Sequence, residues 1–152
     1  MFKMKFSIIT VTKNSGQTIK DCVDSVKIQS HLNVEHLIKD AVSSDNTCKT
    51  AYDINHEVSI ISIPDGGIYD AKNQGFKSST GDIVAFLNSD DKYINSHVLT
   101  KIATIFESTS CDFVYGDILM VDKLGRVVRD WRPGANLSKS LKAGQIPHPS
   151  LF

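Results

Sequence analysis

Two neighbouring carboxylates, Asp90 and Asp91, come directly after the largely apolar run 83–88. Adjacent carboxylates repel each other, and a divalent cation that binds between them removes that repulsion. Mg²⁺ and Mn²⁺ prefer oxygen ligands, and Mg²⁺ commonly combines one or two protein carboxylates with the phosphates of a substrate. The pair therefore predicts a site for a divalent cation and a diphosphate-bearing ligand. A second interpretation stays open, in which both residues begin a turn and help to cap the helix after Ser96.

Two further charged side chains could contact such a ligand. Asp40 follows the apolar-rich run 34–38, and its carboxylate could accept hydrogen bonds from a nucleobase or ribose, or pair with Lys39 or a backbone amide. Lys72 lies in the polar segment 65–75, whose paired glycines permit a close backbone approach. Its ammonium could reach phosphate oxygens as a point charge. Alternatively, Lys72 belongs to a solvated helix face.

The spacing of apolar residues predicts the elements that position these side chains. Short β-branched runs predict buried strands at 6–11, 34–38, 58–63 and 82–87, and apolar stripes predict helices at 18–29, 47–54, 68–78 and 97–107. We expect Ser15 and Ser96 to cap the first and last helices, and Gly81 to end the third. Ala71, Gly75 and Phe76 of the third helix are expected to face the core.

Strand and helix alternate four times up to about residue 107, which predicts an α/β domain with a mainly parallel sheet. Ligands of such sheets bind beyond the carboxyl ends of the strands. Polar clusters follow three of the predicted strands, at 12–14, at Asp40 and at 88–91. We therefore expect these clusters to converge on one edge of the sheet.

The pattern changes after the fourth helix. Short β segments are predicted at 112–115, 118–122 and 127–131, and Leu124-Gly125 indicates a β-hairpin turn between the last two. A short helix is predicted at 136–143. No repeat or linker divides the chain.

The composition is that of an ordinary globular domain. The chain has 152 residues, of which 41% are hydrophobic and 22% charged, and its 17 basic residues balance 17 acidic ones. This balance argues against nucleic-acid binding through bulk charge. No apolar run approaches the roughly 18 residues of a membrane span. Three cysteines without Cys-x-x-Cys spacing indicate neither a disulfide framework nor a zinc site, and we expect reduced thiols in a cytosolic protein.

Four segments together resemble the family 2 glycosyltransferases, which have the nucleotide-diphospho-sugar transferase (GT-A) fold. They are residues 7–14, 35–40, 67–75 and 80–91, and the last two are the most specific in their order and separation. The nearest resemblance is to the bacterial polysaccharide-assembly branch, such as colanic-acid, O-antigen and capsule enzymes. It implies a Rossmann-like GT-A sandwich over 1–152, with a nucleotide-sugar-binding half at about 5–110 and the start of an acceptor-side region at about 111–152.

The resemblance also implies roles for individual residues. Donor contacts would come from Val11, Thr12, Asn14, Asp40, Asp70, Lys72 and Asp90. Mn²⁺ or Mg²⁺ would be bound by Asp91 and Asp90, with Asp91 the more direct ligand, and Asp117 and His148 would line the acceptor side. The relatives continue past the position of Phe152, so the carboxylate that acts as general base is expected beyond it and the chain is expected to be truncated.

The implied reaction is a metal-dependent, inverting transfer of a sugar from a nucleotide-diphospho-sugar, foremost a UDP-sugar. The acceptor would be a saccharide or a lipid-linked molecule in cell-surface polysaccharide synthesis, with the protein in the cytoplasm or peripherally bound at the inner face of the membrane. One alternative is a non-catalytic nucleotide-sugar-binding fragment without the base. Another alternative is a nucleotidyltransferase, which would need a glycine-rich, basic loop directly after the first strand. Residues 12–16 match such a loop poorly. The family's small, glycine-rich residues after Asp40 are replaced here by Ala41 and Val42.

Overall fold

A four-stranded parallel sheet forms the centre of the molecule, and its strands alternate with helices along the chain. In the computed structural model, which describes residues 4–133, 142 and 148–152, the order is β1 (Phe6–Thr12), α1 (Ile19–Lys27), β2 (Val34–Asp40), α2 (Thr47–Ile54), β3 (Ser59–Ser62), α3 (Ile68–Lys77), β4 (Ile83–Phe86) and α4 (Val98–Ser108). The predicted alternation is confirmed. No helix in this described part of the chain has the length and apolar character needed to cross a membrane.

The sheet has the strand order β3-β2-β1-β4, and every neighbouring pair is parallel. Phe6, Ile8 and Ile9 of the central strand β1 are completely buried, because helices cover a parallel sheet on both faces. All four strands therefore end on the same side. We call this side, with the loops that follow the strands, the carboxyl edge, and the opposite side the amino edge.

Two apolar clusters hold the helices against the sheet. One contains Phe6, Ile8 and Leu99 and also includes Phe152, while the other joins α1 and α2 to β2. The helix α3 packs most closely at Gly75, where an added Cβ would lie 2.6 Å from Cγ2 of Ile9. A glycine is therefore required at this position for the helix to reach the sheet.

The C-terminal β-hairpin is also confirmed. Strands β5 (Ile118–Val121) and β6 (Val127–Trp131) form a separate antiparallel pair, and Gly125 adopts a φ of +75° in the turn. Residues 112–115 do not form the predicted strand, since only a single bridge joins Tyr115 to Leu151. A 3₁₀ helix follows at His148–Ser150. The helix predicted at 136–143 lies outside the described residues, apart from residue 142.

Both helix N-cap predictions are wrong. The N-cap residue of α1 is Thr18, and the backbone carbonyl of Ser15, rather than its hydroxyl, accepts a hydrogen bond from Ile19 N at 2.9 Å. The N-cap residue of α4 is His97, whose side chain makes no capping bond, and Ser96 lies outside the helix. The first turn of α1 is completed by the backbone carbonyl of Ser15, whereas in α4 the amide of Leu99 donates to Gln29 Oε1 at 3.1 Å.

The expectations for Gly81 and Phe76 are also wrong. The helix α3 ends before Ser78, and Gly81 instead packs against β1, where an added Cβ would lie 2.5 Å from Oγ of Ser7. Phe76 is 56% exposed, because the face of α3 that meets the sheet is formed by the small residues Ala71 and Gly75.

Candidate functional site

The carboxyl edge brings together the ends of β1, β2 and β4. Thr12 pairs in register with Asp40, and the amide of Leu87 donates a hydrogen bond to Ile9 O at 3.0 Å. The hydroxyls of Ser15 and Ser89 lie 2.9 Å apart, which ties the loop after β1 to the turn after β4. The three polar clusters therefore meet at one edge, as the alternation of strands and helices predicts.

The acidic pair is part of a compact turn. The amide of Asp91 donates to Asn88 O at 3.0 Å, and the side-chain nitrogen of Asn88 donates to Asp91 Oδ2 at 2.8 Å. Asp91 is half-buried and Asp90 is exposed. The interpretation of this pair as a turn is thus confirmed, but neither residue caps α4, whose N-cap is His97.

The two carboxylates lie beside a buried thiol of α1. The pKa of Cys22 is raised to about 12, mainly by burial and also by the negative charges of Asp91 and Asp90, although a hydrogen bond with Thr10 acts in the opposite direction. The two carboxylates therefore place negative charge close to this thiol, and Asp90 is exposed to solvent.

The donor atoms at this turn fit Mg²⁺ or Mn²⁺ only if a ligand supplies further oxygens. Among residues 4–133, 142 and 148–152, no three His, Cys, Asp or Glu side chains are grouped to hold a metal ion. Two adjacent carboxylates, one of them oriented by Asn88, match the one or two protein ligands that Mg²⁺ takes alongside substrate phosphates. The residues present therefore fit a cation that binds together with a diphosphate.

Asp40 is completely buried at the end of β2, and its carboxylate holds the following loop. It accepts hydrogen bonds from the amide of Ser43 at 2.9 Å and from the hydroxyl of Ser62 at 2.6 Å. Burial raises the pKa of Asp40, but the hydrogen bonds from Ser43, Ser62 and Cys48 outweigh it, so the pKa lies below its usual value. The carboxylate does not pair with Lys39, which donates to the backbone carbonyl of Asp40 instead.

The loop after Asp40 departs from the glycine-rich family pattern at an energetic cost. Val42 has a φ of +56°, and Asn14, in the loop after β1, has a φ of +52°. Asparagine tolerates this left-handed conformation, whereas a β-branched residue there is strained by about 1–2 kcal/mol. Hydrogen bonds join the loop after β1 to the loop after β2. The amide of Asn14 donates to Ser43 Oγ at 2.8 Å, and the amide of Ser44 donates to Asn14 Oδ1 at 2.9 Å.

A buried ion pair at this edge was missed by the sequence reasoning. The side chain of Lys39 is 0% exposed, and its ammonium lies 3.0 Å from Asp65 Oδ2 and 2.7 Å from Ile63 O. The hydrogen bond from Lys39 is the main cause that holds the pKa of Asp65 below its usual value. The available signal was a lysine directly after a run predicted to be a buried strand, because lysine is almost never fully buried unless it is paired.

Asp70 and Lys72 lie in the first turns of α3. Asp70 Oδ2 accepts hydrogen bonds from Gly66 N at 2.8 Å and Gln74 Nε2 at 2.9 Å. Lys72 is half-buried, with its ammonium 5.2 Å from the ring centroid of Phe86 in β4. Burial lowers the pKa of Lys72. This side chain therefore does not belong to a fully solvated helix face and is directed toward the strand that precedes the acidic turn.

Val11 and Thr12 end the central strand. Val11 is half-buried beside Lys39, whereas Thr12 is buried and its carbonyl accepts a hydrogen bond from Ala41 N at 2.9 Å. The Thr12 hydroxyl is buried without a hydrogen-bond partner in the described part of the chain. A buried polar group without a partner is uncommon and marks this strand end as different from the rest of β1.

The two residues predicted on the acceptor side are carried by segments that meet. Asp117 is exposed just before β5. The neighbouring Gly116 N donates to Ser150 O at 3.1 Å, and Ser150 Oγ donates to Gly116 O at 2.7 Å. His148 begins the 3₁₀ helix that contains Ser150 and contacts β4, but the position of its side chain lies outside the described residues.

The family is established by a match over most of the chain. The sequence model described as Glycosyl transferase family 2 matches residues 7–142. The chain belongs to glycosyl transferase family 2. This result agrees with the four segments that carry the resemblance and with the acidic turn at the carboxyl edge.

A curated relative is the PGL/p-HBAD biosynthesis glycosyltransferase of Mycobacterium bovis. It is 31% identical over 97% of this chain and 58% of its own length. The chain thus spans less than two thirds of this family member. Its name does not concern colanic acid, O-antigen or capsule, so that branch of the family stays a prediction.

Solved structures confirm the predicted GT-A type of fold. TarS 1-349 of S. aureus in complex with UDP-GlcNAc is 27% identical with a TM-score of 0.71, over 84% of this chain and 38% of that one. The mannosyltransferase PcManGT of Pyrobaculum calidifontis, solved with GDP-Man and Mn²⁺, is 17% identical with a TM-score of 0.67, over 76% of this chain and 36% of that one. The second likeness concerns the fold alone.

Proposed function

We propose that this family 2 domain binds a UDP-sugar at its carboxyl edge and supports transfer of the sugar to a saccharide or lipid-linked acceptor. The observation that carries this proposal is the junction of the acidic turn with the loop after β1, through the hydroxyls of Ser15 and Ser89. A structural neighbour at 27% identity is TarS in complex with UDP-GlcNAc, which supports the choice of donor.

Asp91 and Asp90 are proposed to hold Mn²⁺ or Mg²⁺ together with the donor diphosphate. When bound, such a cation stabilises the negative charge on the departing nucleoside diphosphate. Asn88 orients Asp91 for this role through its 2.8 Å hydrogen bond. Lys72 is proposed to add positive charge beside the diphosphate, and Asp70 to hold the start of α3 in place.

The nucleoside is proposed to lie against the ends of β1 and β2, at Val11, Thr12 and Asn14, with Asp40 toward the base. The Asp40 carboxylate already accepts hydrogen bonds from Ser43 and Ser62. A direct bond from the base to Asp40 would replace the hydrogen bond from the hydroxyl of Ser43 or of Ser62. Its exchange for a base N–H would keep the buried carboxylate hydrogen-bonded, as a buried charge requires.

We propose residues 5–110 as the donor half and 111–152 as the beginning of the acceptor side, with Asp117 and His148 at the acceptor. A carboxylate acting as general base would take the proton of the acceptor hydroxyl, which is typically worth about 10²–10⁴-fold in rate. Attack from the face opposite the leaving group would invert the anomeric configuration. We further propose a role in cell-surface polysaccharide synthesis in the cytoplasm, at the inner face of the membrane where lipid-linked acceptors are presented.

Isothermal titration of the chain with UDP-GlcNAc, UDP-glucose and GDP-mannose, each with Mn²⁺ or with EDTA, tests the proposal. We expect binding of a UDP-sugar that EDTA abolishes. Absence of binding to all three donors in Mn²⁺ and in Mg²⁺ would refute it. Labelled donor scored for hydrolysis and transfer then separates the two classes of function, since binding without turnover assigns this chain to the non-catalytic alternative.

A further inference from the structure

We propose that Lys39 is a positioning residue for the donor pocket, whose buried ammonium fixes the loop 63–67 against the end of β2. This inference rests on the proposed function, because it concerns the same edge and the same ligand. Lys39 itself is not proposed to contact the donor. The lysine acts through the backbone that it holds.

The ammonium of Lys39 joins three separate points of the carboxyl edge. It donates to Asp40 O at 3.0 Å, to Ile63 O at 2.7 Å and to Asp65 Oδ2 at 3.0 Å. A lysine has three donors and no acceptor, so each donor has a partner. One side chain thus links the end of β2, the residue after β3 and the loop that leads into α3.

The loop is held from its other side by α3. Asp65 Oδ1 accepts a hydrogen bond from Gly67 N at 3.0 Å, and Asp70 Oδ2 accepts one from Gly66 N at 2.8 Å. Gly67 has a φ of +117°, a conformation that side-chain-bearing residues rarely adopt. The shape of the loop therefore depends on Asp65 as well as on Asp70, and the ammonium of Lys39 holds Asp65.

Stability alone is a poor explanation for a charge at this position. The stem of Lys39 packs against α3, where an added Cβ at Gly75 would lie 3.8 Å from the Lys39 Cβ, and the preceding β2 residues Leu37 and Ile38 are apolar and buried. A well-packed apolar side chain often stabilises such a site as well as, or better than, a buried ion pair. What an apolar residue cannot do is bind two backbone carbonyls and a loop carboxylate at once.

Loss of this link is expected to weaken donor binding more than folding. If the loop adopts the binding-competent shape only a tenth of the time, the apparent Kd rises about tenfold, because the competent fraction divides the intrinsic Kd. A purely stabilising ion pair would instead lower the melting temperature and leave the Kd unchanged at temperatures far below it.

The test compares Lys39→Met with the double variant Lys39→Met/Asp65→Asn, using UDP-GlcNAc and Mn²⁺ at 15 °C. The double variant leaves no unpaired buried charge, and the introduced carboxamide keeps an oxygen for Gly67 N, so this variant stays testable if the single variant does not fold. Lys49→Met is the matched control, because it removes a lysine that is 76% exposed and pairs with Asp53 on α2. Amide hydrogen exchange at 63–67, measured without ligand, reports the loop directly.

We expect a Kd raised about tenfold or more and faster exchange at 63–67 in both Lys39 variants, with the control unchanged. Unchanged donor affinity in the folded variants would overturn the inference while leaving the proposed function intact. Unchanged exchange at 63–67 would also overturn it, because the loop would then not depend on Lys39. A wild-type chain that binds no donor would overturn the proposed function and this inference with it.

Discussion

The two ends of β2 each hold a carboxylate, and they hold it in different ways. Glu35 at the amino edge pairs with the ammonium of Lys5 at 2.8 Å and accepts hydrogen bonds from Thr80 and from the Ser7 hydroxyl. Asp40 at the carboxyl edge is more deeply buried, but its hydrogen-bond donors are neutral groups of Ser43, Ser62 and Cys48. The neighbouring Lys39 does not pair with the Asp40 carboxylate, and its ammonium holds the loop 63–67 instead.

This contrast supports the proposal that the amino edge holds the fold together and that the carboxyl edge binds the ligand. At the amino edge, Glu35 is paired with the ammonium of Lys5, and the hydrogen bonds of this carboxylate join β1, β2 and the segment before β4. At the carboxyl edge, backbone strain at Val42 and the acidic turn at 90–91 occur together with the Thr12 hydroxyl, which has no partner among the described residues. Strain and unmatched polar groups concentrate at functional sites, and the carboxyl edge is where α/β folds bind ligands.

The largest effect on donor binding is expected from a substitution in the acidic turn. Asp91→Ala should weaken Mn²⁺-dependent UDP-GlcNAc binding on the order of 100-fold or more, since even indirect partners of a metal are worth about 10–100-fold. Titration calorimetry measures this loss. Asp21→Ala is the matched control, because Asp21 is an exposed carboxylate that pairs with Lys92 at 3.0 Å, next to the turn. Unchanged donor affinity in Asp91→Ala would contradict the proposal that the carboxylate pair binds the metal ion.

At the amino edge, the expected effect is on stability and not on binding. Glu35→Gln leaves Lys5 without its charged partner and should lower the free energy of unfolding by about 1–3 kcal/mol. Urea unfolding measures this change, and Glu57→Gln, at an exposed position, is the control. Donor affinity should not change. A loss of affinity in Glu35→Gln would show that the two edges are not separate in function.

The pH dependence of stability sharpens the same comparison. Burial raises the pKa of Glu35, but the hydrogen bonds from Lys5, Ser7 and Thr80 outweigh it and lower the pKa from 4.5 to about 2. A depressed pKa means that Glu35 stabilises the fold fully above pH 4.5 and loses this contribution as the pH falls toward 2. The melting temperatures of wild type and Glu35→Gln should therefore converge over this range. A constant difference between them would contradict the ion pair.

The smallest expected effect is a gain in stability at the carboxyl edge. Val42→Gly removes strain of about 1–2 kcal/mol and adds about 0.5–1 kcal/mol of unfolded-state entropy, so a net stabilisation of about 0.5–1 kcal/mol is expected. The same change at Val128, an exposed residue of β6 without a positive φ, should destabilise. Destabilisation by Val42→Gly would show that the left-handed conformation is not a source of strain.

Patterns within a short segment were enough to predict most of the fold. The apolar run at 6–11 has no alternation and forms the buried β1, and the apolar stripe at 47–54 predicts a helix with the observed bounds, Thr47–Ile54. What the patterns could not predict depends on contacts distant in sequence. Ser15 bonds to Ser89 rather than capping α1, and Gly81 packs on β1 rather than ending α3.

The same limit applies to the site. The strand ends predicted the meeting of Thr12, Asp40 and the acidic turn, because parallel strands end on one side of a sheet. The partner of Lys39 was not predictable, since Asp65 lies 26 residues away and its approach depends on the order of β2 and β3 in the sheet. Sequence order alone does not specify which strands are neighbours.

Paramagnetic broadening of backbone amide resonances by Mn²⁺, in the presence of UDP-GlcNAc, tests the central claim most directly. With Mg²⁺ as the diamagnetic reference, we predict strong broadening at 88–91 and Ser15, weaker broadening at Asn14 and 43–44, and none at the amino-edge residues Lys5 and Glu35. Broadening centred on the amino edge, or equal at both edges, would contradict the assignment of the carboxyl edge as the donor and metal site.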